Sequence, residues 1–336
     1  MRSALCTAIG AALLLAAPGG SSLHAAGPKI VRVSTMLPRT PSVALDEKKF
    51  NKRLAEMTGG EVKFRTYYGG AAGDDKTVMR KMRTGQIDAA PMGVQLVSRA
   101  VPQSLIMMAP QTFTNYKQID AVRAALHDEF GATAMKNGFK VMSWWDAGKV
   151  RIFSKQPVRN FRDLQKGRPW LYPEEPLLKA FYKMVKVTGV PLDLNEVYAG
   201  LSTNMIDIVW ISAVLAGAFR WSSKTKYVSN TPVNIIQGAF IMRRPTWDSF
   251  SKKTQETVME LQDEALNRQQ KRFRKSDETA FKKLFKRGFK GVDFENDAVW
   301  QAAGRKLRDK MVGRIYDRKL LKRVEAIAAK HKGADF

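Results

Sequence analysis

Residues 61–90 read EVKFRTYYGGAAGDDKTVMRKMRTGQIDAA. Glu61 to Tyr68 alternates, with Val62, Phe64, Thr66 and Tyr68 on one face, the two-residue period of a half-buried strand. Gly69-Gly70-Ala71-Ala72-Gly73 then forms a loop, and Asp74 is placed to cap a helix whose apolar face is Val78, Met79 and Met82. Gly85 stops that helix, and Ile87 to Met92 begins another strand. Upstream, Lys29 to Thr35 reads as a strand with Val31 and Val33 on one face. A helix from about Ser42 carries Val43, Phe50, Leu54 and Met57 at helical spacing and ends at Gly59-Gly60. Strand and helix alternate, which is the pattern of an α/β sheet layered by helices. No Gly-Lys-Ser/Thr follows the glycine loop, so it reads as a turn and not a phosphate cradle.

Further along, Lys149 to Val158 and Thr231 to Met242 read as strands leading out of and back into the first α/β unit. Between them lies a second unit, with a Pro- and Trp-rich loop at Gly167 to Pro176 and a helix over Leu177 to Val187. From Trp247 the chain reads as largely helical. Trp300, Leu307, Met311 and Ile315 mark a late amphipathic helix with a Lys/Arg-rich outer face. No internal repeat or low-complexity segment is present.

The first 26 residues have the layout of a secretory signal peptide: Arg2, an apolar run over Ala11 to Ala17, and small residues up to Ala25-Ala26. The expected location is therefore the periplasm. The only cysteine, Cys6, lies ahead of the apolar run, so the remaining chain can form neither a disulfide nor a thiolate metal site. The formal charge of +26 runs through the chain and is denser toward the C-terminus. A nucleic-acid tail would be concentrated and poor in apolar residues, so nucleic acid is not an expected partner. A solvated basic surface and one attracted to anionic lipid both fit the charge.

The inventory argues against catalysis. The three histidines, His24, His127 and His331, are scattered, and no Gly-x-Ser-x-Gly, His-Glu-x-x-His or Walker sequence occurs. Acidic pairs such as Asp74-Asp75 and Glu174-Glu175 read as solvated or capping residues, although a carboxylate pair defined by spatial separation is invisible in sequence. No enzyme activity, cofactor or metal is expected.

Four segments in order carry a family resemblance. FNKRLAEMTGG (50–60) running into EVKFRTYYGGAAGDDKTVMRKMRTGQIDAA resembles the first lobe of DctP-type binding proteins of TRAP transporters. SKQPVRNFRDLQKGRPWLYP (154–173), VPLDLNEVYAGLSTNMIDIV (190–209) and RPTWDSFSKKTQETVMELQDEA (244–265) resemble later segments of the same family. The resemblance implies a two-lobed α/β periplasmic binding protein with hinge strands, a long lobe-spanning helix and ligand capture by closure. It also implies membrane permease subunits as partners. The implied division is residues 1–26 as signal peptide, 27–150 plus about 232–280 as the first lobe, and 151–231 plus about 281–336 as the second.

The departures from the family pattern set the ligand expectation. The family's carboxylate-clamping arginine falls on Leu171, its asparagine on Ile211, and a first-lobe acidic position on Pro91 or Met92. Arg151, twenty residues before Leu171, stands where the resemblance places a second ligand-facing arginine. Each lost charge-assisted bond would cost a small dicarboxylate about 1.5–3 kcal/mol. Apolar replacements instead favour burial at about 25 cal/mol per Å². The expected ligand is therefore apolar or amphipathic, lipid-like or a long-chain acid held by Arg151. The expected site is Arg151, Leu171, Tyr172, Leu194, Trp210, Ile211, Trp145 and Met92. Alternatives remain: an ordinary organic-acid receptor, a basic protein binding anionic lipid or an envelope polymer, or Trp144, Trp145, Trp170, Trp210 and Leu171 serving only as core.

Overall fold

A computed structural model describes residues 27–110, 112–331 and 333. The expected signal segment lies outside them. The chain runs β1 (Lys29–Ser34), α1 (Pro41–Thr58), β2 (Val62–Tyr67), α2 (Asp75–Arg83), β3 (Ala89–Gly93), α3 (Val94–Val97), α4 (Tyr116–Lys136) and β4 (Phe139–Ser154). A second set follows: α5 (Phe161–Lys166), β5 (Trp170–Leu171), α6 (Pro176–Met184), β6 (Val190–Pro191), α7 (Val197–Ser202), β7 (Ile208–Ile211), α8 (Ala213–Ala218) and β8 (Tyr227–Ser229). The chain ends with β9 (Asn234–Arg243), α9 (Arg244–Asp248), α10 (Lys252–Lys286), β10 (Lys290–Val292), α11 (Asp297–Met311) and α12 (Arg318–Lys330).

The opening segment folds as its pattern dictates. β1 pairs in parallel with β2 and β3, and α1 and α2 supply the crossover connections such pairing requires. Asp74 caps α2, accepting the Thr77 N–H at 2.7 Å. β9 then runs antiparallel between β3 and β4. Val31, Val33, Val62 and Phe64 bury one face of this sheet with Trp247, Phe250, Val258 and Leu261.

β4 joins the two lobes. Its first part, up to Val150, pairs with β9, while Arg151 to Ser154 pairs with β7 and, at the end, β8. β8 pairs in parallel with β10, and the short β5 with β6. The strand starts ten residues before the expected Lys149, and most of it is buried on both faces, so no alternation marks it in the sequence. The ladder with β9 slips between Asp146 and Lys149, where Gly148 takes φ +91°. There, a Cβ would lie 2.5 Å from the Asp277 carboxyl carbon, so glycine is required.

The 35-residue α10, about 50 Å long, spans both lobes as expected. Val258 and Leu261 pack in the first-lobe core and Leu284 in the core of the second. Asp277, buried on the same helix, accepts the Lys149 and Val214 N–H groups, each at 3.0 Å, and so fastens β4 and α8 to it. α11 packs on α6 of the second lobe. α12, expected with the second lobe, lies against α4 of the first: Gln118 Nε2 donates to Ala328 O at 2.9 Å and Asn115 Nδ2 to His331 O at 3.1 Å. Leu320, Leu321, Val324 and Ala328 form its buried stripe.

Candidate ligand-binding cleft

Between the lobes lies a cleft of about 1460 Å³. Its walls come from β1, β2 and β3, from the middle of β4 and from α1, from the second-lobe segments β5–α6 and β7–α8, and from the middle of α10. Five of the expected residues line it: Trp145, Tyr172, Leu194, Trp210 and Ile211. Trp145 lies over the neighbouring strand at Gly238, where a Cβ would sit 2.0 Å from the indole ring, so only glycine leaves room for it.

Met92, Leu171 and Arg151 do not line the cleft. On β3 the two-residue period turns Pro91 to the cleft and Met92, 1% exposed, into the core. Leu171 packs beside Gly189 against the core under α6. Arg151 faces away: Nη1 donates to Ser229 O at 3.0 Å and to Asn230 O, and the guanidinium lies 3.6 Å from the centre of the Phe281 ring. Burial lowers its pKa to about 10 despite the opposing charge of Asp277. The physical reason is the β4 bulge. Ser143, Trp145 and Ala147 face the cleft before it and Val150 after it, so the extra residue inverts the facing of Arg151.

Three parts of the site lie outside the residues expected from the sequence. The first is an aromatic wall: Phe181 and Trp300 join Trp210, with ring centroids 5.9 Å and 6.5 Å from it. Trp300 is contributed by α11, far away in sequence. The second is an acidic end. Glu175, 6% exposed, caps α6 and accepts a hydrogen bond from Gln95 of the first lobe. Asp75 lines the cleft nearby, its pKa raised to about 6 by burial and then by Asp74.

The third part is a basic mouth on α1 and α10: Lys49, Arg268, Lys271 and Arg272. Arg272 is paired to Asp46 at 3.2 Å, while Lys49 and Lys271 have no ion-pair partner among the described residues. Asp146, on the β4 wall of the cleft, is held by Arg274 at 2.6 Å, Arg123 at 3.1 Å and Gln270 at 2.6 Å, which fastens α10 to α4 and β4. Such mutual neutralisation is what lets these charges stay buried. Among the described residues no group of three or more His, Cys, Asp or Glu side chains could hold a metal ion, and no helix is long and apolar enough to cross a membrane.

Two α/β lobes linked through β4, with a ligand-sized cleft between them, have the architecture of a two-lobed binding protein. The chain belongs to the bacterial extracellular solute-binding protein family 7 (DctP), whose model matches residues 33–314. It is thus a TRAP-type solute-binding protein, as the four segments implied. The 2,3-diketo-L-gulonate-binding periplasmic protein of Escherichia coli is 24% identical over 307 residues, covering 90% of this chain and 92% of that protein. A TRAP periplasmic solute-binding protein of Xanthobacter autotrophicus, solved with bound β-D-galacturonate, superposes with a TM-score of 0.80 at 19% identity, covering 89% of this chain and 99% of that one. One from Pseudomonas putida, with bound D-glucuronate, also gives 0.80 at 19% identity, covering 91% and 99%.

Proposed function

We propose that the chain is the periplasmic receptor of a TRAP-type system for an organic acid, delivering it to membrane permease subunits with no bond made or broken. The acid is the alternative to the apolar ligand that Leu171 and Ile211 suggested. The observation that carries it is the mixed lining of the cleft, which combines Lys49 and Lys271, without ion-pair partners among the described residues, with an aromatic wall. A carboxylate held at the mouth would set its carbon skeleton on Trp210, Phe181 and Trp300, as the faces of sugar acids and ring acids allow. The acids named for the relatives support the same class. With Leu171 and Arg151 both outside the cleft, the grip on the carboxylate falls to lysines, which act as point charges and tolerate varied geometry. The volume exceeds the roughly 300–1,000 Å³ usual for small-molecule sites, which favours an acid larger than a single sugar.

The lobe boundary belongs between Val150 and Arg151, where β4 changes partners, and α12 belongs to the first lobe. Titration calorimetry with uronates, aldonates, aromatic acids and long-chain fatty acids, each beside its methyl ester, tests the ligand class. Esterification is expected to weaken binding by about tenfold, the value of one charge-assisted bond. Equal binding of acid and ester, or capture of neutral lipids alone, would return the reading to an apolar ligand.

A further inference from the structure

The charge of the chain is not spread evenly over the second lobe. β8 and β10 lie side by side, with the Lys290 N–H donating to Lys226 O at 3.0 Å, and the last turn of α10 leads directly into β10. This gathers Lys224, Lys226, Lys283, Lys286, Arg287 and Lys290 along one edge. Residues 220–231 and 282–291 contain no Asp or Glu. The acids that border this edge are already engaged: Glu278 with Lys282 at 3.8 Å, Asp293 with Asn230 at 2.8 Å, and Asp207 with Arg168 at 3.1 Å.

The concentration of charge shows in its neighbours. Arg220 and Lys224 lie 5.9 and 5.2 Å from the Tyr198 ring, and although burial raises the pKa of that phenol, the two cations bring it below its ordinary value. Lys155 is lowered by burial and then, against Asp207, by Arg168 and Lys224. Among these cations Phe285 stands 40% exposed, its ring edge-on to Phe281 at 5.2 Å. An aromatic ring left in water inside a field of lysines has the composition of a bilayer-interface contact. The edge is about 15–25 Å along α10 from the cleft residue Arg272, so it is separate from the ligand site.

We propose that this edge of the second lobe docks the protein reversibly on a bilayer containing anionic phospholipid. The cations would face the phosphates, and Phe285 would enter the headgroup layer. Lysine predominates over arginine here, which suits a laterally mobile anionic surface better than the fixed carboxylates of an acidic protein, where bidentate arginine is favoured. The inference does not depend on the nature of the solute. A receptor held at the membrane would search for its permease in two dimensions.

Co-sedimentation of the full chain without its first 26 residues tests this, using phosphatidylcholine vesicles with and without an equal part of phosphatidylglycerol, over a salt series. Binding is expected only to the anionic vesicles, falling steeply with salt. The triple variant K283Q/K286Q/R287Q is expected to partition about a hundredfold more weakly. A triple of the same charge change in the first lobe, K48Q/K63Q/K253Q, should alter partitioning by less than about threefold if the local edge and not net charge decides. Phe285→Ser gives an independent readout, a severalfold loss that persists across the salt series. Equal losses in the two triples would overturn the proposal. So would failure of the wild type to bind anionic vesicles, or binding only to vesicles that carry permease subunits.

Discussion

Asp75 shows how the cleft acts on a single group. Its carboxyl lines the cavity, has no cationic partner among the described residues, and has its pKa pushed up to about 6 because burial, then Asp74, disfavours its charge. A raised carboxyl pKa means the folded state holds the proton longer than the unfolded state. Its contribution to stability is therefore greatest below the unfolded value of 3.8, declines as pH rises toward 6, and is flat above. Asp75→Asn should leave the melting temperature unchanged near pH 4 and raise it near pH 7. The gain at pH 7 is expected to be about 1–2 kcal/mol, the two-unit shift discounted for solvent reaching the group through the cleft. Thermal melts of both proteins across that range check it, and a gap that does not grow with pH would sink the assignment. Arg151 carries the complementary lesson. Its position in the sequence suggested a ligand contact, but one bulge at Gly148 reverses the strand face, and residue spacing holds no record of that.

At the scale of elements, α10 depends on how its ends are fixed. Glu61, just before β2, accepts the Ser251 N–H at 2.9 Å, Ser251 Oγ at 2.7 Å and Thr254 Oγ1 at 2.6 Å, so one carboxylate holds the first turn of the helix. These bonds, the one from Thr254 foremost, lower its pKa to about 2. A lowered carboxyl pKa contributes stability above the unfolded value of 4.5 and loses it as pH falls toward 2. Glu61→Gln is expected to cost about 1 kcal/mol at pH 7, because the group is largely solvated and its bonds are screened. Urea unfolding at pH 7 and pH 3 should show that difference shrinking, and a constant difference would mean the loss is not electrostatic. The elements themselves were readable where one face is wet: β1, β2 and α2 follow their two-residue and 3.6-residue periods. β4 was only half readable, since FKVMSWWDAGKVRIFS is buried on both sides and shows no period. Nor could a period reveal that α12 returns to α4, because an amphipathic stripe specifies that a face is buried and not against what.

For the molecule as a whole, the contacts that cross the cleft decide how readily it closes. Glu174 of the second lobe pairs with Arg99 and, at 3.4 Å, with Lys76, while Glu175 accepts from Gln95. All three partners sit on the first lobe, on or next to α2 and α3, so this part of the cleft is bridged by protein groups. Such bonds exist only in a closed arrangement, and a contact made in one of two states shifts the balance by its own free energy. Glu174 is mostly shielded and Arg99 less so, which places the two ion pairs together at about 1–1.5 kcal/mol. Glu174→Ala should therefore weaken solute binding by about tenfold. The loss should fall on dissociation, because the encounter occurs with the lobes apart. The double variant R99E/E174R should recover only part of it, since the Arg99 pair is rebuilt with its charges exchanged while Lys76 is left beside a cation. Stopped-flow binding separates the rates, and small-angle scattering of the solute-free protein should show the radius of gyration increasing in Glu174→Ala alone. A change confined to association would instead mean that Glu174 acts on the encounter with the solute and not on closure, and the control of closure would then rest on the fixed part of the hinge, where Asp277 ties β4 and α8 to α10.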